Sequence, residues 1–333
     1  MNKEILYIPI LNTLRGVAAL AVVLFHFIFA SGYINDSVLR SIFNYGELGV
    51  TVFFVISGIV IPLTMINSEY QIKDFYSFFK KRIIRVEIPF FASIILSISY
   101  LIVREFIPST TGQSLFPSLE LIIYNIFYLV PFVDGAKWIN PVYWTLAIEF
   151  QYYLALSALM PLLIQKKASF RIFFYLLVTG SSVFVPIQLF LWAPIFMAGI
   201  VYILFIKEII NKTEFITVLI ICTIMIFLHH SIDILLTVIV TLFIVHIFTN
   251  YNPKVGSFFG EISYSLYLIH IIIGTSFINL MSHFFTDPYQ KCIVLIMSLF
   301  ISIFSAYIFN LYIEKPSKKL SSKVKYSKEY TGS

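Results

Sequence analysis

Apolar residues fill this chain in long runs separated by short polar breaks. A bilayer core of about 30 Å takes about 20 helical residues to cross. Ten runs approach that length, near 8–30, 47–66, 86–106, 143–164, 171–187, 188–206, 214–230, 231–249, 258–281 and 291–313. The fifth, seventh and eighth are short. Residues 171–206 and 214–249 therefore read as tight helical hairpins, turning at Pro186 and at His229-His230. The pattern predicts an all-α, polytopic integral-membrane bundle of about ten transmembrane helices. The longest connection, 107–142, contains an apolar stretch at 119–132 that is short for a span and reads as a re-entrant or interfacial helix. No internal repeat or low-complexity tract is present. Residues 1–315 form one transmembrane domain in this reading. Residues 316–333 are a basic, Lys/Ser-rich tail, expected to be disordered and held near anionic lipid.

Composition sharpens this picture. Of 333 residues, 59% are hydrophobic and 12% charged, against about 25% charged in a soluble domain. No stretch is polar enough to be a separate soluble unit. The opening helix lacks the basic leader and small-residue cleavage site of a secretory signal, so it is expected to stay in the protein. The net charge of +6 does not point to nucleic acid, because its distribution follows the helix count. With a cytoplasmic N-terminus, eighteen of the 23 Lys and Arg residues fall in inner segments and four in outer ones, with Arg15 inside the first run. Such a split is a positive-inside signal and predicts two cytoplasmic termini. The two cysteines, Cys222 and Cys292, lie in or beside apolar runs without CxxC spacing, and no metal site is expected.

The chemistry sits in a few polar residues within the apolar runs. Arg15 and His26 lie on the first helix. Eleven residues make about three turns, so the two share a face about 16 Å apart. An intramembrane arginine is a functional-site hypothesis by default, and histidine is the usual general base near neutral pH. Glu149 opens the fourth span at about the depth of His26, and a carboxylate there needs a partner, His26 or Arg15. Arg82 and Arg85 share a helix face beside Lys80 and Lys81 at the cytoplasmic mouth. Arginine suits bidentate phosphate recognition, though taken alone these charges mark topology. Ser263, Tyr267 and His270 follow i, i+4, i+7 spacing on the ninth span. Ser57-Gly58 reads as a close-packing pair. His229, His230, His246 and His283 read as interfacial.

In this order, Leu14-Arg15-Gly16 with His26, Phe53 through Gly58, Arg82-Ile83-Ile84-Arg85 before Pro89, Trp144-Thr145-Leu146 leading to Glu149, Ser263 through Leu268 with His270, and Glu314-Lys315-Pro316 resemble the acyltransferase 3 family of bacterial membrane acyltransferases. The resemblance implies transfer of an acyl group, usually acetyl, from cytoplasmic acyl-CoA to a hydroxyl of an extracytoplasmic polysaccharide or lipid-linked sugar. It implies residence in the bacterial cytoplasmic (inner) membrane and a stand-alone type without a fused extracytoplasmic domain. It assigns Arg82 and Arg85, with Lys80 and Lys81, to the acyl-CoA donor. His26, oriented by Glu149, is then the base or a transient acyl carrier. Arg15 holds the donor or a carboxylate, and Ser57, Tyr267 and His270 support the site. The rival reading is a transporter of a glycan or small solute using Arg15, His26 and Glu149 as a proton relay. The lack of repeat symmetry disfavours it.

Overall fold

The computed structural model describes residues 7–34, 36–105, 116–165, 167–184, 188–251 and 253–326. Pro186, Lys3, Lys166, Lys328 and residues 106–115 of the long connection lie outside them. Among the described residues the chain is all helix and loop. Ten long or apolar helices follow in order: α1 (Ile10–Phe29), α2 (Val38–Asn67), α3 (Ile72–Glu105) and α4 (Tyr143–Leu163); α5 (Ala168–Phe184); α6 (Gln188–Ile206), α7 (Lys212–His229), α8 (Ile232–Ile247), α9 (Lys254–Met281) and α10 (Pro288–Ser322). Eight are long and apolar enough to cross a membrane; α5 and α8 are shorter. Each corresponds to one of the ten apolar runs.

Two parallel helix pairs organise the bundle. Along α1 and α9, Asn12 meets Ser257, Gly16 meets Gly260 and His26 meets His270, so both helices run the same way. Along α2 and α6, Phe54 meets Phe196 and Gly58 meets Gly199, again in parallel. Both pairings require chain direction to alternate through all the intervening helices, short α5 and α8 included. Small residues permit the close approach. A Cβ on Gly260 would stand 2.0 Å from the Asn12 carbonyl oxygen, and one on Gly58 would stand 2.3 Å from that of Phe196. The packing expected of Ser57-Gly58 is therefore made by Gly58. The most central helices are α2 and α6, whereas α7 and α10 turn apolar side chains such as Phe227, Phe300 and Phe304 outward. Cys222 is buried on α7, but Cys292 is exposed on α10 rather than enclosed.

Four helices contain a π-helical turn: Phe25–Ala30 in α1, Ile83–Glu87 in α3, Ile271–Thr275 in α9 and Asn310–Glu314 in α10. Such wide turns occur often at functional sites. His26, Arg85 and Glu314 lie within three of them, and His270 immediately precedes the fourth.

Two boundaries depart from the expected ones, and both departures build the site. Helix α3 begins at Ile72, well before residue 86, so Lys80 through Arg85, expected on a helix face, belong to the same helix as the third apolar run. Asp74 sets this start, its carboxylate accepting from the Gln71 amide at 3.1 Å in a capping box. The tail expected to be disordered from residue 316 is helical over Lys315–Ser322, continuous with α10. Tertiary hydrogen bonds hold it against α3. The Ser317 hydroxyl donates to the carbonyls of Ile84 and Arg85 at 2.5 and 3.1 Å, and that of Ser321 to Lys81 at 2.8 Å.

In the long connection, Leu119–Ile126 is a helix of eight residues. It is about 12 Å long at 1.5 Å per residue and too short to span. Buried Asn125 ties it to the returning chain, donating to the Lys137 carbonyl at 3.1 Å and accepting from the Ile139 amide at 2.9 Å.

Gly260→Val should destabilise the bundle by about 1–3 kcal/mol, the usual cost of overpacking. Thermal unfolding of detergent-solubilised protein checks this; an unchanged midpoint would contradict the α1–α9 contact.

Candidate active site

Helices α1, α3 and α9 begin, and α2, α4 and α10 end, at one face of the bundle. Four cations converge there on a single cleft: Arg15 from α1, Arg82 and Arg85 from α3, and Lys318 from the end of α10. Two carboxylates, Glu149 and Glu314, line the same cleft. Its deeper walls are apolar or phenolic, with Phe53 and Ile56 on one side and Leu146, Tyr264 and Tyr267 on the other.

The carboxylates are engaged by neighbours that leave most of the cations free. Ser57 donates to Glu149 at 2.8 Å, and the Tyr153 hydroxyl makes a second bond to the same oxygen. Glu314 is buried and receives four hydrogen bonds: from Lys318 at 2.6 Å, from the Ser265 hydroxyl at 2.5 Å and amide at 3.2 Å, and from Asn310 at 3.0 Å. Lys318 is thus paired. Arg82 lies over the rings of Phe78 and Tyr153, 5.2 and 5.4 Å from their centroids. Arg15, Arg82 and Arg85 form no ion pair with a described residue. Three guanidiniums lining an apolar-walled cleft without carboxylate partners have the chemistry to bind anionic oxygens. Helix α3 is held in place by Tyr264, which donates to the Val86 carbonyl at 2.9 Å, and by the serines of the terminal turns.

At the deep end, Tyr267 and Thr145 share a hydrogen bond of 2.7 Å. Beyond them is a histidine pair. The ring of Tyr267 lies 6.1 Å from that of His270, and that of His270 5.0 Å from that of His26. His270 is fully buried. Its Nδ1 faces the carbonyls of Leu266 and Tyr267 at 3.0 and 2.9 Å, and its Nε2 faces His26 Nδ1 at 3.2 Å. Carbonyls only accept, so Nδ1 of neutral His270 carries the proton and its Nε2 is an acceptor. His26 Nδ1, set between that acceptor and the Val22 carbonyl at 2.9 Å, must then be a donor. The lone pair of His26 is therefore on Nε2, which makes no hydrogen bond with a described residue and is not enclosed. A half-buried imidazole with this tautomer fixed has the form of a general base.

The structure joins most of the expected residues but pairs them differently. Arg15, Arg82, Arg85, Ser57, Glu149 and Tyr267 all line the cleft. Lys80 is exposed and Lys81 lies 4.4 Å from the Tyr326 ring centroid; neither lines it. Glu149 does not orient His26; its partners are Ser57 and Tyr153, and the partner of His26 is His270. Glu149 on α4 and His26 on α1 make no hydrogen bond with each other. His26 is not among the residues that line the cleft, so Arg15 and His26 do not share one open passage, and no hydrogen bond joins Arg15, His26 and Glu149 into the relay drawn for a transporter. Ser263 turns back on the Gly260 carbonyl at 2.8 Å and takes no part. The reading from sequence missed Lys318, Glu314, Tyr153 and Tyr264. The i, i+4 spacing of Glu314 and Lys318 past the final run was the available signal. Among the described residues, no three His, Cys, Asp or Glu side chains are grouped to hold a metal ion.

Fold and site together define a polytopic helical membrane protein with an arginine-lined cleft that ends near a histidine pair. The chain belongs to the acyltransferase 3 family, whose acyltransferase domain matches residues 8–311. Curated relatives include the O-acetyltransferase OatA of Staphylococcus aureus strain NCTC 8325, 29% identical over 170 residues covering 48% of this chain and 26% of the relative. OatA of strain COL matches to the same extent. The chain thus aligns with about a quarter of the length of these relatives. No solved structure matches.

Glu314→Gln should weaken a buried charge-assisted network by about 1–3 kcal/mol. A lowered unfolding midpoint in detergent is the expected result, and a midpoint equal to wild type would contradict the role of Glu314 as the anchor of α10.

Proposed function

We propose that this protein transfers an acetyl group from cytoplasmic acetyl-CoA to a hydroxyl of an extracytoplasmic cell-surface glycan or lipid-linked sugar, in a bacterial cytoplasmic membrane. The observation that carries this reading is the convergence of Arg15, Arg82 and Arg85, without carboxylate partners, on a cleft whose far end adjoins the His26–His270 pair. In this reading the cation-lined mouth faces the cytoplasm, as the distribution of basic residues predicts. The donor's phosphates dock on Arg82 and Arg85, and Arg15 adds charge at the same mouth. The uncharged pantetheine arm lies along the apolar wall at Phe53, Ile56 and Leu146, and brings the thioester to Tyr267.

Chemistry requires Tyr267 to release Thr145 and swing from the path to His26. The acceptor oxygen gives its proton to His26 Nε2 and attacks the thioester carbonyl carbon. The carbon–sulfur bond breaks, and the CoA thiolate takes the proton back from His26. His270 positions His26 by accepting a hydrogen bond from its Nδ1–H at Nε2 throughout. Family membership, the fixed tautomer and the likeness to an O-acetyltransferase all support an acyl-transfer reading over a transport one.

Two measurements test it. His26→Ala should lower glycan acetylation by about 10²-fold or more, the usual contribution of a general base, with the protein still in the membrane. NMR of glycan from cells carrying the variant reads this directly, and wild-type acetylation would refute the role of His26. Arg82→Ala and Arg85→Ala should each weaken acetyl-CoA binding to purified protein about tenfold or more, from the loss of charge-assisted hydrogen bonds. Equal binding by wild type and the double variant would remove the donor site from the cleft.

A further inference from the structure

Helix α4 carries a second pocket on its opposite side. Thr145, Glu149 and Tyr153 face the arginine-lined cleft, whereas Trp144, Ile148 and Gln151 share the other face. At 100° per residue the two sets are roughly opposed. The second pocket is closed by Phe132 and Trp138, from the segment that Asn125 pins down, and by Gln188 at the start of α6.

Its wall chemistry is distinctive. Three aromatic side chains, Phe132, Trp138 and Trp144, stand beside two primary amides, Gln151 and Gln188. No ionisable side chain is among the described residues that line it. The Gln151 amide and the indole N–H groups of Trp138 and Trp144 make no hydrogen bond with a described residue, whereas the third tryptophan, Trp192, donates to Gln188 at 3.3 Å. Flat apolar faces beside uncommitted amide and indole donors suit a ligand with both C–H faces and hydroxyl groups. The missing charges speak against a phosphate, a carboxylate or a phospholipid headgroup. An acyl chain would leave the amides and indoles unpaired.

We infer that this pocket binds an uncharged sugar unit, making it a docking subsite for a neutral glycan separate from the arginine-lined cleft. Its use by the acceptor rests on the acyl-transfer reading; the presence of the site does not.

The chain supplies its own probe. It has three tryptophans; two line this pocket and the third, Trp192, lies 5.6 Å from Trp144 between ring centroids. Intrinsic fluorescence of the full chain in nanodiscs therefore reports on the pocket. Titration with cellotetraose and with the N-acetylglucosamine tetramer should give a saturable change with at least one of them. Gln151→Leu keeps all three fluorophores and should weaken that response at least fivefold; Gln188→Leu serves as the second variant. His26→Ala should leave the response intact. A flat titration with both sugars would overturn the proposal. So would responses unchanged in both glutamine variants, or a response seen with tetragalacturonate and with neither neutral sugar. The same holds if raising the phosphatidylglycerol content of the nanodisc reproduces the spectral change and abolishes the glycan response. Saturable glycan binding by a protein that transfers no acetyl group would sink the enzymatic reading and leave the subsite standing.

Discussion

Charge placed inside an apolar bundle governs this structure. A lone arginine at membrane depth costs several kcal/mol unless it finds water, a partner or a ligand. Here Arg15, Arg82, Arg85 and Lys318 are gathered at one face of the bundle, where a single cleft admits solvent to all of them. The backbone contacts that gather them are the same ones that hold the bundle together. Gly16 against Gly260 brings α1 onto α9 and fixes where Arg15 points. Ser317 and Ser321 fasten the end of α10 to α3 and so bring Lys318 beside Arg85. Glu314 neutralises Lys318 alone, which leaves the three guanidiniums for a ligand in the proposed reading.

The π-helical turns supply the second part of that arrangement. Widening a helix by one residue per turn frees carbonyl groups and re-aims side chains. In α3 the freed carbonyls of Ile84, Arg85 and Val86 accept from Ser317 and Tyr264. In α9 the Gly274 carbonyl accepts from Ser298 at 2.8 Å. The wide turns of α3 and α9 therefore each dock a neighbouring helix. His26, Arg85 and Glu314 all lie within such turns. Helical-wheel geometry applied to α1 gives a good account of Arg15 and a poorer one of His26, since the register changes at Phe25.

Much of the fold was legible because hydropathy alone separates spans from connections. All ten runs are helices, and their alternation of direction follows. The ends were less legible. Lys80 through Arg85 and Lys315 through Ser322 are too polar to be assigned to a span, and they are helical through tertiary hydrogen bonds and a capping box that hydropathy does not register. The site was legible as a set of residue types and illegible as a set of pairs. Arg15, Arg82, Arg85 and Glu149 are conspicuous because each is costly where it stands. That Glu149 turns to Ser57 and Tyr153, and that His26 turns to His270, depends on helix rotations and on which helices are neighbours. The parallel pairing of α1 with α9, far apart in the chain, is the fact that sequence spacing could not supply.

The central claim is that one molecule of acyl-CoA reaches from the arginines to the histidine pair. Cryo-electron microscopy of the protein with a non-hydrolysable methylene-for-sulfur (ketone) analogue of acetyl-CoA tests it most directly. The account predicts the diphosphate between Arg82 and Arg85, Tyr267 turned away from Thr145, and the acyl carbon within about 5 Å of His26 Nε2, leaving room for an acceptor oxygen between base and carbonyl. Density for the analogue elsewhere on the protein, or an acyl group that stays on the far side of an unmoved Tyr267, would contradict it.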